Sequence, residues 1–226
     1  MSKQFYSVAI DGPSGAGKST LARRAAARLN FRYVDTGAIY RAVGYHMALM
    51  GVGPRDKDGI TRLIDDVNIR IEYPDDGIQH MILNGRDITG EIRTPEMSLY
   101  ASGVSTLPCV REYLLDMQRA LARTHSVIMD GRDIGTVVLP DADVKIFLTA
   151  SPEKRAERRY AELREKGEKA TLAKVLDEMR LRDRQDTTRD IAPLRCAPDA
   201  VRLDTSDMTL DESEEAILRI VRGKLG

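Results

Sequence analysis

Short apolar runs alternate with longer amphipathic ones along most of this chain. Tyr6 to Ile10 is a nearly continuous apolar run of strand length, which predicts a buried strand. Lys18 to Leu29 places Leu21, Ala22, Ala25, Ala26 and Leu29 at helical spacing, which predicts a helix with one apolar stripe. Four more strand-like runs follow: Arg32 to Val34, Ser126 to Met129, Val144 to Leu148 and Ala200 to Leu203. Helical patterns separate most of them. Strands that alternate with helices imply βαβ units, because parallel neighbours need a crossover connection. The expected class is α/β, a five-stranded parallel sheet flanked by helices.

The middle of the chain breaks this rhythm. Val67 to Tyr73 and Gln79 to Leu83 are β-rich runs joined by the turn sequence Pro74-Asp75-Asp76-Gly77. A second turn, Asn84-Gly85, leads into Arg86-Asp87-Ile88. Together they predict a small antiparallel meander inserted into the α/β domain. Thr94 then has N-cap chemistry, with Pro95 at the first helical position. From Ser151 the chain is highly charged. Ser151-Pro152 should open a helix that ends near Gly167, and Thr171 should open another with Leu172, Val175, Leu176 and Met179 on its buried side. Thr209 and Glu212 have capping-box spacing for the last helix.

Composition narrows the class without naming a chemistry. At 226 residues and 25.2 kDa the chain suits one domain with a subdomain. A fold of this mass buries roughly 70% of its surface, enough core without disulfides or a structural metal. Thirty-five basic residues cancel thirty-five acidic ones, which argues against coating DNA or a membrane surface. The apolar runs fall short of the roughly 20 residues needed to span a bilayer. Met1-Ser2-Lys3-Gln4-Phe5 lacks the apolar centre of a signal peptide. A cytoplasmic monomer with neither nucleic-acid nor membrane partners is the expectation. Cys109 and Cys196 carry no spacing motif and fit reduced thiols; His46, His80 and His125 show no metal spacing.

One motif carries explicit chemistry. Gly12-Pro13-Ser14-Gly15-Ala16-Gly17-Lys18-Ser19 fits G-x-x-x-x-G-K-[ST], between a predicted strand and a predicted helix. A chance match in a chain of this length is about a one-in-a-hundred event at average composition. Glycines let backbone N–H groups converge on phosphate oxygens, and the following helix adds its positive end. Lys18 would reach the β- and γ-phosphates, and Ser19 would hold Mg²⁺. The loop implies a nucleoside triphosphate but not its use. The guanine reader N-K-x-D is missing from the sequence. Asp56-Lys57-Asp58-Gly59 and Asp87-Ile88-Thr89-Gly90 match the loose D-x-x-G switch pattern, yet neither follows a core strand.

Further blocks occur in a fixed order: Asp35-Thr36-Gly37-Ala38-Ile39-Tyr40-Arg41, Gly90-Glu91-Ile92-Arg93-Thr94, Asp130-Gly131-Arg132-Asp133-Ile134-Gly135-Thr136 and Ile191-Ala192-Pro193-Leu194. With the phosphate loop they make the chain resemble the bacterial cytidylate kinases over nearly its whole length. Ser19-Thr20 departs from the Gly-Thr expected in much of that family, but Ser19 restores the general loop consensus. The resemblance implies transfer of the γ-phosphoryl group of MgATP to CMP or dCMP. It implies a core of residues 1–35, 100–151 and 180–226, an acceptor-binding insertion at about 36–99, and a lid at about 152–179. ATP would lie on Gly12 to Thr20 with Arg158 and Arg159 from the lid, where Arg155 also falls. CMP would meet Thr36, Arg41, Ser102, Arg111, Arg132, Asp133, Arg182, Asp186 and Arg189. Lys18, Arg132, Arg189 and Asp130 would carry catalysis, with Mg²⁺ on Ser19 directly and on Asp130 through water.

Elementary chemistry gives several of these roles a reason. Two phosphorylated reactants repel, so their approach needs a positive clamp. An ionised carboxylate such as Asp133 only accepts hydrogen bonds, so it pairs with the exocyclic amino group of cytosine and repels the carbonyl of uracil. Arg182, Asp186 and Arg189, at spacings of four and three, would share one face of a continuous helix. The alternatives are a kinase for UMP or AMP, a nucleotide-dependent switch without transfer, and a polynucleotide binder through the Arg155 to Lys166 segment.

Overall fold

A computed structural model of the chain describes residues 4–74, 77–165 and 167–226. Five parallel strands form the central sheet: β1 (Ser7–Asp11), β2 (Arg32–Asp35), β6 (Val127–Gly131), β7 (Val144–Thr149) and β8 (Val201–Asp204), in the order β2-β6-β1-β7-β8. Each expected core strand is present and runs one or two residues past its expected carboxyl end. Strand alternation splits the interior into two cores. Val8, Ile10, Ile128, Val144, Ile146 and Leu148 point to one side, where α1 (Lys18–Leu29) and α8 (Leu210–Leu225) cover them. Ala9, Val34, Val127 and Met129 point to the other, under α2 (Thr36–Leu49), α4 (Pro95–Val104) and α5 (Pro108–Thr124).

The expected meander is the second sheet, β3 (Ile69–Glu72), β4 (His80–Leu83) and β5 (Arg86–Asp87), antiparallel in that order. Asn84 and Gly85 both have left-handed backbone, φ 49° and 85°, as a two-residue hairpin turn requires. Asp75 and Asp76 of the other expected turn lie outside the described residues, as do Met1 to Lys3 and Lys166. Buried Met81 and Leu83 of β4 join the same core as α2 and α5. Gln79 ties the sheet to β2: its Oε1 accepts from Asp35 N at 2.7 Å and its Nε2 donates to the Asp35 carbonyl at 3.2 Å.

Caps fall where the sequence puts them. Thr94 accepts from Met97 N, Thr171 from Lys174 N, and Thr209 forms the full capping box with Glu212. The Asp56 switch match is likewise a cap, accepting from Gly59 N at 2.9 Å to start α3 (Lys57–Leu63). Asp87 holds Thr89 N at 2.9 Å, a local turn bond.

The charged segment folds as a hairpin of α6 (Pro152–Glu165) and α7 (Leu172–Thr188), held by Ala156, Leu163, Val175 and Met179. Two expectations need correction here. Leu172 is 41% exposed, because half-buried Ala170 already packs at that end of the hairpin. Arg189 is not on the helix: α7 ends at Thr188 and Arg189 is its C-cap with extended backbone. A turn of π-helix, Ile134–Val138, follows β6 and had no signature in the pattern. His46 is buried on α2, where desolvation lowers its pKa; its Nε2 has no hydrogen-bond partner. No helix among the described residues is long and apolar enough to cross a membrane.

Candidate active site

The site lies at the carboxyl ends of the sheet strands, where α/β folds hold ligands. β1 ends at Asp11, and the phosphate loop turns from it into α1. A Cβ on Gly12 would sit 1.9 Å from the Leu148 carbonyl oxygen, so only glycine lets the loop pass β7. Gly17 caps α1 with φ 85° and no side-chain hydrogen bond, which leaves the helix's first N–H groups open to an anion. Lys18 is 6% exposed and its Nζ donates to the Pro13 carbonyl at 2.8 Å. Burial, then the charge of Arg132, pushes the ammonium down to about 7, against Asp130 and Asp11. That ammonium lacks a full counter-charge, and a polyphosphate would supply one.

Asp130, at the end of β6, receives two hydroxyls: Ser19 Oγ on Oδ2 at 2.8 Å and Tyr33 Oη on Oδ1 at 2.9 Å. Burial and the nearby Asp35 charge push its pKa up, while Lys18 and the two hydroxyls pull it back. Asp11, just before the loop, ties the end of β1 to the π-helical turn after β6. Its carboxylate accepts Ile134 N at 2.8 Å and Gly135 N at 2.7 Å, and burial lifts its pKa to about 6 despite those bonds.

Facing the loop are arginines from four elements, most of them held by carboxylates. Arg41, in the second turn of α2, donates from Nη2 to Asp35 Oδ2 at 2.8 Å. Arg132 donates from Nε to Asp186 Oδ2 at 2.7 Å. Asp133 is 5% exposed and receives both Arg111, from α5, and Arg189 Nη2 at 3.3 Å. Burial pushes the Asp133 carboxyl up against these two cations. At Asp186 burial acts the same way, but Arg132, Arg182 and Arg189 outweigh it and hold the carboxyl below its ordinary value. Arg111 also lies over the Tyr40 ring, 5.7 Å from its centre.

Two guanidinium nitrogens in this set have no partner. The Nε atoms of Arg41 and Arg182 are buried and unbonded. Burial and the charge of Arg132 depress the pKa of Arg182, and Arg41 adds to the effect. Like charges crowded around open donors make an anion site.

The remaining candidates make no ion pair with the carboxylates of this set. Thr36 Oγ1 donates to the Asp130 carbonyl at 2.7 Å and is buried. Ser102 is half-buried on α4 and has no side-chain hydrogen bond among the described residues. Arg158 donates from Nη2 to the Thr205 carbonyl at 2.6 Å, next to the end of β8. Arg159 pairs with Glu162 at 3.0 Å on the surface of α6. Arg155 does not project as a lid arginine: it is 3% exposed with its donors spent on the protein interior. Sequence reasoning missed Asp11, Tyr33, Asp35, Tyr40, Gln79 and Asp183. Asp11 and Asp35 share one readable signal, an acid at the end of a core strand.

A phosphate loop on a central parallel strand, faced by clustered arginines, defines a P-loop phosphotransferase of the nucleotide-kinase kind. Residues 8–223 match the cytidylate kinase family model, and the chain belongs to that family. A cytidylate kinase of Carboxydothermus hydrogenoformans is 48% identical over 217 residues, covering 96% of this chain and 97% of its own. One from Caldicellulosiruptor bescii is 46% identical over 213 residues, 94% of each chain. Among solved structures, an uncharacterized protein from Eubacterium ventriosum superposes with a TM-score of 0.50 at 12% identity, over 96% of this chain and 98% of that one. That likeness speaks to the fold alone.

Proposed function

We propose that the chain phosphorylates CMP from ATP, that dCMP is also an acceptor, and that the residues of the cleft divide into donor and acceptor sets. The donor triphosphate lies along Gly12 to Thr20, with Lys18 on its terminal phosphates and Arg158 and Arg159 approaching from α6. The acceptor phosphate is taken by Arg41, Arg132 and Arg189. The observation that supports this most is the pair of buried, unbonded Nε atoms on Arg41 and Arg182: Arg41 and Arg132 both act on Arg182, and Arg132 also acts on Lys18. Donor and acceptor anions thus meet within one field of fixed cations.

The acceptor oxygen attacks the γ-phosphorus in line and ADP leaves. A phosphate dianion is already nucleophilic, so no general base is assigned. Lys18, Arg132 and Arg189 lower the barrier by positioning and by neutralising charge as it spreads over the transferring group. Asp133 accepts from the cytosine amino group, with Arg111 and Ser102 around the base and Thr36 bordering the site. Asp186 and Arg182 hold the ribose.

The donor set fits Mg²⁺. Ser19 and Asp130 offer a hydroxyl and a carboxylate, hard oxygen donors 2.8 Å apart, and no group of three or more His, Cys, Asp or Glu among the described residues could cage an ion. Ser19 would hold the ion directly and Asp130 through water. When bound, the ion would supply positive charge against the phosphate oxygens. Residues 36–99 serve as the acceptor-binding insertion and 152–179 as the lid on the remaining core. The chain acts as a cytoplasmic monomer without nucleic-acid or membrane partners.

The deciding experiment measures ADP release with CMP, dCMP, UMP and AMP as acceptors. CMP should give the largest kcat/KM. If UMP or AMP exceeds it, the base-reading role of Asp133 is wrong.

A further inference from the structure

One buried cation reaches the phosphate loop from outside the cleft and donates to its backbone. Arg155, on the first turn of α6, spends its guanidinium on three separate elements. Its Nε donates to the Ala150 carbonyl at 2.9 Å, just past β7. Its Nη1 donates to the Ser14 carbonyl of the phosphate loop at 2.9 Å. Its Nη1 and Nη2 grip Asp183 on α7 as a fork, at 3.2 and 2.6 Å. The neighbours of Asp183 on α7 matter: Arg182 precedes it and Asp186 follows one turn later.

A second contact joins the loop to both helices. A Cβ on Gly15 would fall 2.2 Å from Met179 Cε and 3.5 Å from Arg155 Cβ. The loop therefore rests directly on the root of the α6–α7 hairpin. Its neighbouring carbonyl, Ser14, is turned toward Arg155 rather than into the cleft. A peptide plane that points its C=O one way points the next residue's N–H the other way. Holding the Ser14 carbonyl on Arg155 thereby aims the Gly15 N–H away from that guanidinium.

We infer that Arg155, clamped by Asp183, is a positioning residue that sets the Ser14–Gly15 peptide of the phosphate loop and ties it to the helix carrying Arg182 and Asp186. The inference rests on the reading of that loop as the donor site. A lysine at 155 would keep the charge, but it has no planar fork and cannot serve the loop, the strand end and the helix at once. Asp183→Asn keeps the shape of the clamp and removes its charge.

The test is titration calorimetry of a nonhydrolysable ATP analogue into wild type, Arg155→Lys and Asp183→Asn, with steady-state KM for ATP and CMP and a thermal melt for each. Wild type must bind the analogue; if it does not, the donor-site reading fails and this inference with it. Given wild-type binding, Arg155→Lys should weaken the analogue fivefold or more. KM for ATP should rise by a similar factor, while KM for CMP at saturating ATP stays within twofold. Asp183→Asn should move the same constants in the same direction. A purely structural pair would lower the melting temperature and leave both constants of the folded variants alone. Analogue affinity changed by less than fivefold in a folded Arg155→Lys protein overturns the proposal. Should that variant not fold, the same threshold applied to Asp183→Asn decides.

Discussion

The two halves of the cleft, proposed as donor and acceptor sites, would meet the same problem, holding a phosphate, with different materials. The proposed donor half is built from consecutive residues and would work through main-chain N–H groups and a helix end, with a single buried ammonium. That ammonium lacks a full counter-charge, and burial drives its pKa down to about 7. The acceptor half is built from side chains brought from α2, α5, the end of β6 and the end of α7. Most of its arginines are already paired: Arg41 with Asp35, Arg111 and Arg189 with Asp133, Arg132 with Asp186. A backbone cradle is nearly rigid and indifferent to the base. A network of paired charges can discriminate, because every partner left unsatisfied costs energy.

The contrast can be broken most sharply at Lys18. Lys18→Met should lower kcat by about 10²- to 10³-fold, the cost of losing one aimed charge. It should not lower stability, because it removes a buried and incompletely paired cation. A coupled ADP-release assay and urea unfolding check both halves. Near-normal turnover would remove Lys18 from the chemistry.

On the acceptor side the two effects should travel together. Asp133→Ala should cut the CMP-over-UMP preference by roughly 10²-fold or more, within the limit of about 10⁴ for a buried polar pairing. It should also cost about 3 kcal/mol of stability, since Arg111 and Arg189 lose their counter-charge in a buried site. Unchanged preference in a folded variant refutes the base-reading assignment.

A smaller effect concerns protons. In the unliganded protein at pH 8 Lys18 is mostly neutral, because its folded pKa lies near 7 against an ordinary 10.5. The same depression means this group destabilises the fold fully below pH 7 and progressively less as pH rises toward 10.5. A bound polyphosphate restores the charge, so ATP binding at pH 8 should take up about one proton. Calorimetry in buffers of different ionisation enthalpy measures this uptake, and Lys18→Met should abolish it.

The smallest effect tests whether either half depends on distant stability. Thr209→Ala removes the capping box of α8 and should cost about 1 kcal/mol. Neither CMP nor ATP kinetics should change. A selective loss at one half would show that α8 supports that half specifically.

The sequence by itself determined what depends on neighbouring residues. Strand alternation, the caps at Thr94, Thr171 and Thr209, the Asn84-Gly85 turn and the whole phosphate loop are local, set by backbone sterics and by N–H groups a few residues apart. The resemblance carried by the ordered motifs named the acceptor residues, but periodicity could not have assembled them. The pairs Arg111–Asp133 and Arg132–Asp186 form only because the parallel strands and their crossovers bring α5, the end of β6 and α7 together. Tertiary structure alone decided which arginines face the cleft. Arg155 reads like Arg158 and Arg159 in the sequence, yet it lies buried on Ser14 and Asp183. The angle at which α6 meets the loop and α7 sets its role, and such long-range packing leaves no periodic trace in a charged helix.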